Sequence, residues 1–348
     1  MKILILAGGL SPERDVSKKS SSLIANALLS KGHEVAVVDL YEGLEDSIDI
    51  MSIYKSGMDD LYDYTIPEEE PDLDALIASF GGRQEWVGPR VIEACKTADS
   101  VFLGLHGGYG ENGELQALLD GFGIAYTGSD YFGCAIAMDK DISKAIIASK
   151  GIHTAKWMTY AADEIDVDDI VNRIGIPCVV KPTGCGSSCG VSIVKTMDEF
   201  NQAITYAKKY KQDILVEQFI TGREITIGVV NDEALPIIEI IPHEGFYDYK
   251  NKYQAGLTTH VCPAQFTDDQ TKRAQALAVR VFKALRMSSY GRIDFIYDES
   301  IDDFYFIEAN NLPGMTSTSL VPEAAKEMGI GYEDLCERIA MSCGKKSI

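Results

Sequence analysis

Val179-Val180-Lys181-Pro182-Thr183-Gly184-Cys185-Gly186-Ser187-Ser188-Cys189-Gly190 is the stretch on which the fold turns. A β-branched run delivers a lysine, a Gly/Ser loop follows, and residues 191–194 read as a second strand. Glycines let backbone N–H groups converge on an anion, the hydroxyls add donors, and Lys181 supplies positive charge. No helix follows and no Gly-Lys-Ser/Thr triplet occurs, so this is not a Walker A loop. The pattern predicts a strand–loop–strand grip on phosphate. A plain flexible hairpin loop is its bland alternative.

Upstream the pattern is different. Residues 2–6 form a short apolar run ahead of Gly8-Gly9, and 16–31 carries Leu23, Ile24, Ala27 and Leu28 at helical spacing before Gly32. Residues 34–40 are a second strand, so the unit is β-α-β and its sheet parallel. Helices are expected at 91–96 and 114–122, and a strand at 100–105. From Ser56 to Gly82 there are eight acids and no Lys or Arg, which reads as a solvated insertion. After about Met138 strands dominate: 178–181, 214–218, 224–230, 235–241, 293–297 and 304–308. Helices are expected there at 139–149, 197–210, 267–285 and 332–341. The fold class is α/β with an N-terminal open parallel sheet.

The chain has 348 residues, enough for two or three domains at about 100–200 residues each. Lys plus Arg is 32 against 53 Asp plus Glu, a formal net charge of -21. Phosphate backbones repel such a surface, which argues against nucleic acid or an anionic membrane as partner. Phosphate binding then needs a few basic residues converging locally. No apolar run reaches the roughly 18 residues of a membrane span, and the apolar start is too short for a signal-peptide core. A cytoplasmic protein is expected. The eight cysteines are scattered without a CxxC, so free thiols are expected.

Four more constellations carry chemistry. Arg292-x-Asp294, Glu308-x-Asn310 and Pro313-Gly314 place two carboxylates and an amide at strand ends, with Asp294 opening one strand and Glu308 ending the next. Hard oxygen donors of this kind suit Mg²⁺, which usually also binds substrate phosphate. Glu217-Gln218-Phe219-Ile220 with Gly222-Arg223-Glu224 joins a strand end to a hinge, whose backbone can read an adenine edge while a carboxylate takes ribose hydroxyls. Gly8 to Ser17 joins strand to helix, where open α/β sheets bind ligands; Glu13 suits an ammonium, and Ser17 is a candidate helix cap. His106-Gly107-Gly108 with Glu111-Asn112-Gly113 is a similar loop. Residues 246–253, polar and aromatic, read as a lid. There is no Ser/His/Asp triad and no His/Cys zinc spacing.

In order, these segments resemble the D-alanine–D-alanine ligases of the ATP-grasp superfamily. The matching motifs are GGLSPERDVS, LHGGYGENGELQ with GIAYTGS, AMDK, VVKPTGCGSSCG, VEQFITGREIT, FYDYKNKY, GRIDF and EANNLPGMTSTSLVP, spanning residues 8 to 322. The resemblance implies three α/β domains: an N-terminal substrate domain at 1–138, a central ATP-grasp domain at 139–221, and a C-terminal catalytic domain at 222–348. Lys140 and Lys181 would bind ATP phosphates, and Ser188 and its loop would close over them. Glu217, Gln218, Phe219 and Ile220 would hold adenine with Phe246 nearby, and Glu224 the ribose. Asp294, Glu308 and Asn310 would hold two Mg²⁺ ions, with Mn²⁺ as a substitute. Glu13 would bind the ammonium of the first D-alanine and hydrogen-bond with Ser187 and Tyr253, and His106 would line that site. Arg292 and the Gly314 N–H would form an oxyanion hole. Lys252, Ser319 and the Leu320 N–H would face phosphate and the second D-alanine's carboxylate. The resemblance further implies a homodimer serving peptidoglycan precursor synthesis.

The residue types fit that chemistry. A carboxylate is a poor acyl donor until the γ-phosphoryl group of ATP makes it an acyl phosphate. That transfer needs mainly positioning and charge neutralisation; the later tetrahedral oxyanion needs preorganised donors. Lys18 and Lys19 depart from the family pattern, as does Asn311-Leu312, and residues 42–84 match nothing in it, leaving substrate range open. Tyr253 argues against D-lactate as acceptor, and D-serine stays open. A different ATP-grasp carboxylate–amine ligase is a more distant alternative. A non-catalytic ATP-binding protein is another, opposed by retention of the metal, phosphate and oxyanion residues.

Overall fold

Strand β1 (Lys2–Ala7) is buried from its second residue onward. It is central in a three-stranded sheet of order β2-β1-β3, with β2 (Glu34–Asp39) and β3 (Ser100–Leu103) both parallel to it. A strand covered on both faces needs a continuous apolar run, which IleLeuIleLeu supplies. Helix α1 (Arg14–Ser30) makes the crossover and buries Ile24, Ala25, Leu28 and Leu29. The computed structural model describes residues 1–67, 69–186, 188–243 and 257–343.

The second sheet is antiparallel, with order β4-β7-β5-β6. Its strands are β4 (Trp157–Tyr160), β5 (Cys178–Pro182), β6 (Ser192–Val194) and β7 (Ile214–Gln218). The helix Met197–Ala207 covers it with Phe200, Ala203 and Ala207, and a Thr196/Glu199 capping box starts that helix.

The third sheet has six strands: β8 (Arg223–Val230), β9 (Glu233–Ala234), β10 (Ile238–Pro242), β11 (Thr258–Val261), β12 (Tyr290–Asp298) and β13 (Asp303–Asn310). The helix Asp268–Ala284 seals it with Ala274, Ala278, Val281 and Phe282. The last helix, Tyr332–Met341, returns to the first sheet, where Leu335, Cys336, Ile339 and Ala340 join the core around β1. Among the described residues no helix is long and apolar enough to cross a membrane.

Three expectations need correction. Asp294 does not open its strand: β12 begins at Tyr290, so Asp294 sits mid-strand. Gly291 hid that start. Space is tight there: an added Cβ would come 2.4 Å from Met287 Cε and 3.1 Å from Asn310 O. The expected strand 235–241 starts late, at Ile238, because Pro236 cannot donate to a ladder; the short β9 ends at Ala234, before the expected range. The acidic insertion is exposed in its described acids but not simply solvated. Asn26 Nδ2 donates to Tyr62 O at 2.8 Å, Tyr62 N donates to Asn26 Oδ1 at 2.8 Å, and the Tyr64 hydroxyl donates to Asp15 at 2.5 Å. The helix Tyr131–Met138 was not foreseen; it is apolar nearly all round and gives no helical periodicity.

Candidate active site

Two cavities of about 460 and 490 Å³ meet at Lys140 and Glu308, which line both. The first lies among the loops after β1, β3 and β13; the second lies between the second and third sheets.

In the second cavity, Lys181 projects from β5 and Glu217 from neighbouring β7, two antiparallel partners in one sheet. Lys181 Nζ lies 2.5 Å from Glu217 Oε1, and Lys144 Nζ lies 2.7 Å from Glu217 Oε2. Burial pushes the Glu217 carboxyl up, but Lys144 and then Lys181 outweigh it and hold the group down at about 2. Lys144 also donates to Thr154 Oγ1 at 2.5 Å. Gln218, Phe219, Ile220 and Glu224 line this cavity, with Val179, Ile193, Ile296 and Phe306 as apolar walls. Ser188 joins them at φ +58, the left-handed region. A cavity lined by apolar side chains together with Lys140 and Lys181 suits a nucleotide. Asp139 caps the helix that starts at Lys140, accepting from Asp141 N and Ile142 N, and Lys140 Nζ donates to Cys185 O at 2.7 Å.

In the first cavity, Glu13 sits at the N-terminus of α1, on a braced loop. Arg14 donates to Gly9 O at 2.8 Å and pairs with Asp39 at 3.0 Å and Glu42 at 2.6 Å. Lys18 pairs with the same two acids at 3.2 and 2.8 Å. Ser17 does not cap the helix. Its hydroxyl donates to Gly104 O at 2.6 Å and accepts from Gly8 N at 2.9 Å, stapling the β1–α1 loop to the end of β3. At Gly107, φ +69, a Cβ would lie 2.8 Å from Ser11 Oγ and 3.0 Å from Glu13 Oε2, so only glycine lets the two loops close. Burial pushes His106 down, opposed by Glu13 and a hydrogen bond with the Leu312 backbone. Burial, then Glu13, push the Glu111 carboxyl up to about 8, against a Gly107 backbone hydrogen bond, Arg292 and Lys140.

Between the cavities, Asp294 faces Glu308 across the β12–β13 pair. The register then slips, so Ile307 is the extra residue of a bulge beside Glu308; bulges re-aim side chains next to active sites. Arg292 grips Asp294 with two hydrogen bonds of 2.9 Å, and Thr226 adds one of 2.6 Å. Lys140 stands 3.3 Å from Glu308, and Asn310 Oδ1 accepts from Leu312 N at 3.1 Å. This donor set is oxygen only and holds just two acids, which fits Mg²⁺ completed by phosphate oxygens. Gly314 approaches Ser319 closely, an added Cβ being 2.8 Å from its Oγ. Ser319 precedes the helix Leu320–Glu327, and its Oγ accepts from Thr316 N at 2.9 Å.

The structure thus groups Glu13, His106, Arg292, Asn310, Gly314, Ser319 and Leu320 around one cavity. It groups Lys181, Ser188, Glu217, Gln218, Phe219, Ile220, Glu224 and Asp294 around the other. Ser187, Phe246, Lys252 and Tyr253 lie outside the described residues. Sequence reasoning missed Lys144, one helical turn after Lys140, and gave no role to Glu111 or to the Arg14–Asp39 brace. Two lysines at i and i+4 were the available signal for the first.

Residues 2–129 match the family described as D-ala D-ala ligase N-terminus, and residues 146–341 match D-ala D-ala ligase C-terminus. A D-alanine--D-alanine ligase of Pediococcus pentosaceus is 44% identical, covering 100% of this chain and 98% of that one. One from Geobacter sulfurreducens is 39% identical over 99% of this chain and 95% of its own. A crystal structure of a Bacillus anthracis D-alanine--D-alanine ligase complexed with ATP superposes with a TM-score of 0.75 at 29% identity, covering 98% of this chain and 96% of that one. Another structure of the Bacillus anthracis enzyme gives 0.77 at 30% identity, covering 98% and 97%.

Proposed function

The chain belongs to the D-alanine–D-alanine ligase family, and on that premise we propose that it joins two D-alanine molecules into D-alanyl-D-alanine, with ATP converted to ADP and phosphate, for peptidoglycan precursor synthesis. The observation that carries this reading is the junction of the two cavities at Lys140 and Glu308. A nucleotide in the second cavity directs its terminal phosphate to the place where an amino-acid carboxylate arrives through the first.

Each residue then has a task. The Glu217–Ile220 hinge and Glu224 take the nucleoside, while Lys140, Lys181 and the Ser188 loop neutralise its phosphates. Glu217 holds Lys181 in place as its counter-ion. Glu13, beside His106, takes the ammonium of the donor D-alanine. Asp294, Glu308 and Asn310 would hold Mg²⁺, which neutralises phosphate charge when bound; Arg292 and Lys140 balance the two carboxylates otherwise. The donor carboxylate takes the γ-phosphoryl group and becomes an acyl phosphate. Arg292 and the Gly314 N–H stabilise the oxyanion formed when the acceptor amine attacks. The Leu320 N–H and Ser319, at a helix N-terminus, receive the acceptor's carboxylate. Phe246, Ser187, Lys252 and Tyr253 keep the roles the family resemblance gives them.

The resemblance also supports a homodimer acting in the cytoplasm. It supports three units, 1–138, 139–221 and 222–348, each carrying one of the three sheets. The test is to incubate purified protein with ATP, Mg²⁺ and D-alanine. Equal amounts of ADP and dipeptide are expected, and folded protein that forms neither contradicts the reading.

A further inference from the structure

Ile66 is a large apolar side chain left 44% exposed, in a segment otherwise rich in acids and tyrosines. Its position is fixed from the preceding residues. Tyr62 is held by both amide hydrogen bonds to Asn26, and its hydroxyl donates to Val35 O at 2.9 Å. Tyr64 is held by Asp15, with the Lys18 ammonium 5.8 Å from its ring centroid. The strap from 62 to 66 therefore runs along α1 from Asn26 toward the helix N-terminus. It delivers Ile66 to the first cavity, whose lining also includes Val16, Lys19 and Leu23. Those three residues share one face of α1, at spacings of three and four. Leu320 and Ser319 line the same cavity.

We propose that the acidic insertion is part of the active site, and that Ile66 limits the size of the acceptor amino acid's side chain. The inference rests on the ligase reading above. That reading gives the buried end, at Glu13 and His106, to the donor. What remains for the acceptor is the mouth framed by the Leu320 helix and the Ile66 strap. An apolar wall there matches a methyl group, and the bulk of Ile66 excludes longer chains. One methylene in an apolar pocket discriminates by about 10- to 200-fold.

The experiment supplies ATP, Mg²⁺ and D-alanine with an equal concentration of D-norvaline, and measures both dipeptides by mass, with C-terminal fragment ions separating D-alanyl-D-norvaline from its isomer D-norvalyl-D-alanine. For Ile66→Ala the ratio of D-alanyl-D-norvaline to D-alanyl-D-alanine is expected to rise by about tenfold or more, with the KM for ATP unchanged. For Ile66→Phe the ratio is expected to fall, and the KM of the weaker-binding D-alanine to rise. A merely structural strap changes both products in proportion, so a ratio within twofold of the unsubstituted protein in both variants overturns the proposal. Failure of the unsubstituted protein to make any D-alanyl dipeptide removes the ligase reading instead, so the two failures are distinguishable.

Discussion

Asp294 and Glu308 are cross-strand partners beside a bulge, and each carboxylate is already balanced by a cation: Arg292 at 2.9 Å and Lys140 at 3.3 Å. The same two cations border the first cavity. Were Mg²⁺ held by these carboxylates, it would take over their charge balance and would leave Arg292 and Lys140 to face phosphate and the oxyanion. As it stands, the junction sets two cations against two carboxylates, so each carboxylate has its own counter-charge.

Glu308→Gln should lower turnover by about 10²–10³-fold, the scale of losing one electrostatic stabiliser. Glu308 packs little of the core, so the thermal midpoint should move by only a few degrees. Steady-state ADP release and a melting curve check both. A midpoint collapse matching the activity loss would assign the residue to stability.

Glu217 is buried against two lysines, so Glu217→Gln leaves Lys144 buried without its counter-charge. The expected cost is about 3–5 kcal/mol in urea unfolding. The pH dependence follows from linkage. The folded carboxyl sits at about 2 against an ordinary 4.5, so its stabilisation is present above pH 4.5 and lost as pH falls toward 2. Glu217→Gln should flatten that acid limb.

Glu111 has the opposite sign. Its folded carboxyl sits at about 8 against 4.5, so between those values the folded chain keeps a proton that the unfolded chain has released. Stability should fall as pH rises through that window, by up to about 1.4 kcal/mol per pH unit from this group, and level off above it. Urea midpoints of Glu111→Gln and the unsubstituted protein at pH 6 and pH 8 isolate the effect.

Glu13 lines the first cavity and not the second. Glu13→Ala should raise the KM for the donor D-alanine by tenfold or more, the loss of a charge-assisted hydrogen bond, while ATP affinity stays within twofold. Nucleotide titration of the variant checks the division; an equal loss of ATP affinity contradicts it.

The sheets were legible wherever burial left an uninterrupted apolar run, as in β1, or a strand ending in a functional residue, as in β5 and β7. The Gly/Ser loop after Lys181 and the carboxylates Asp294 and Glu308 stood out as candidates because phosphate and metal chemistry needs particular residue types at short spacing. Other features were not. Lys144, Glu111 and Ile66 meet partners distant in sequence: Lys144 pairs with Glu217, Glu111 lies near Glu13, and Ile66 lines one cavity with Leu23 and Leu320. No local pattern encodes such meetings. Gly291 and Pro236 misled because glycine and proline weaken a strand signal for different reasons, one by needing no side-chain space and the other by lacking an N–H.

The account's central claim is that the donor carboxylate is phosphorylated where the two cavities meet. It is tested most directly with D-alanine labelled with ¹⁸O in both carboxylate oxygens. Attack on the γ-phosphorus carries one labelled oxygen into the acyl phosphate, and attack by the acceptor amine expels it in inorganic phosphate. One ¹⁸O per phosphate, equal to the dipeptide formed, is the predicted result. Unlabelled phosphate released in step with dipeptide would contradict the acyl-phosphate route and the roles given to the junction.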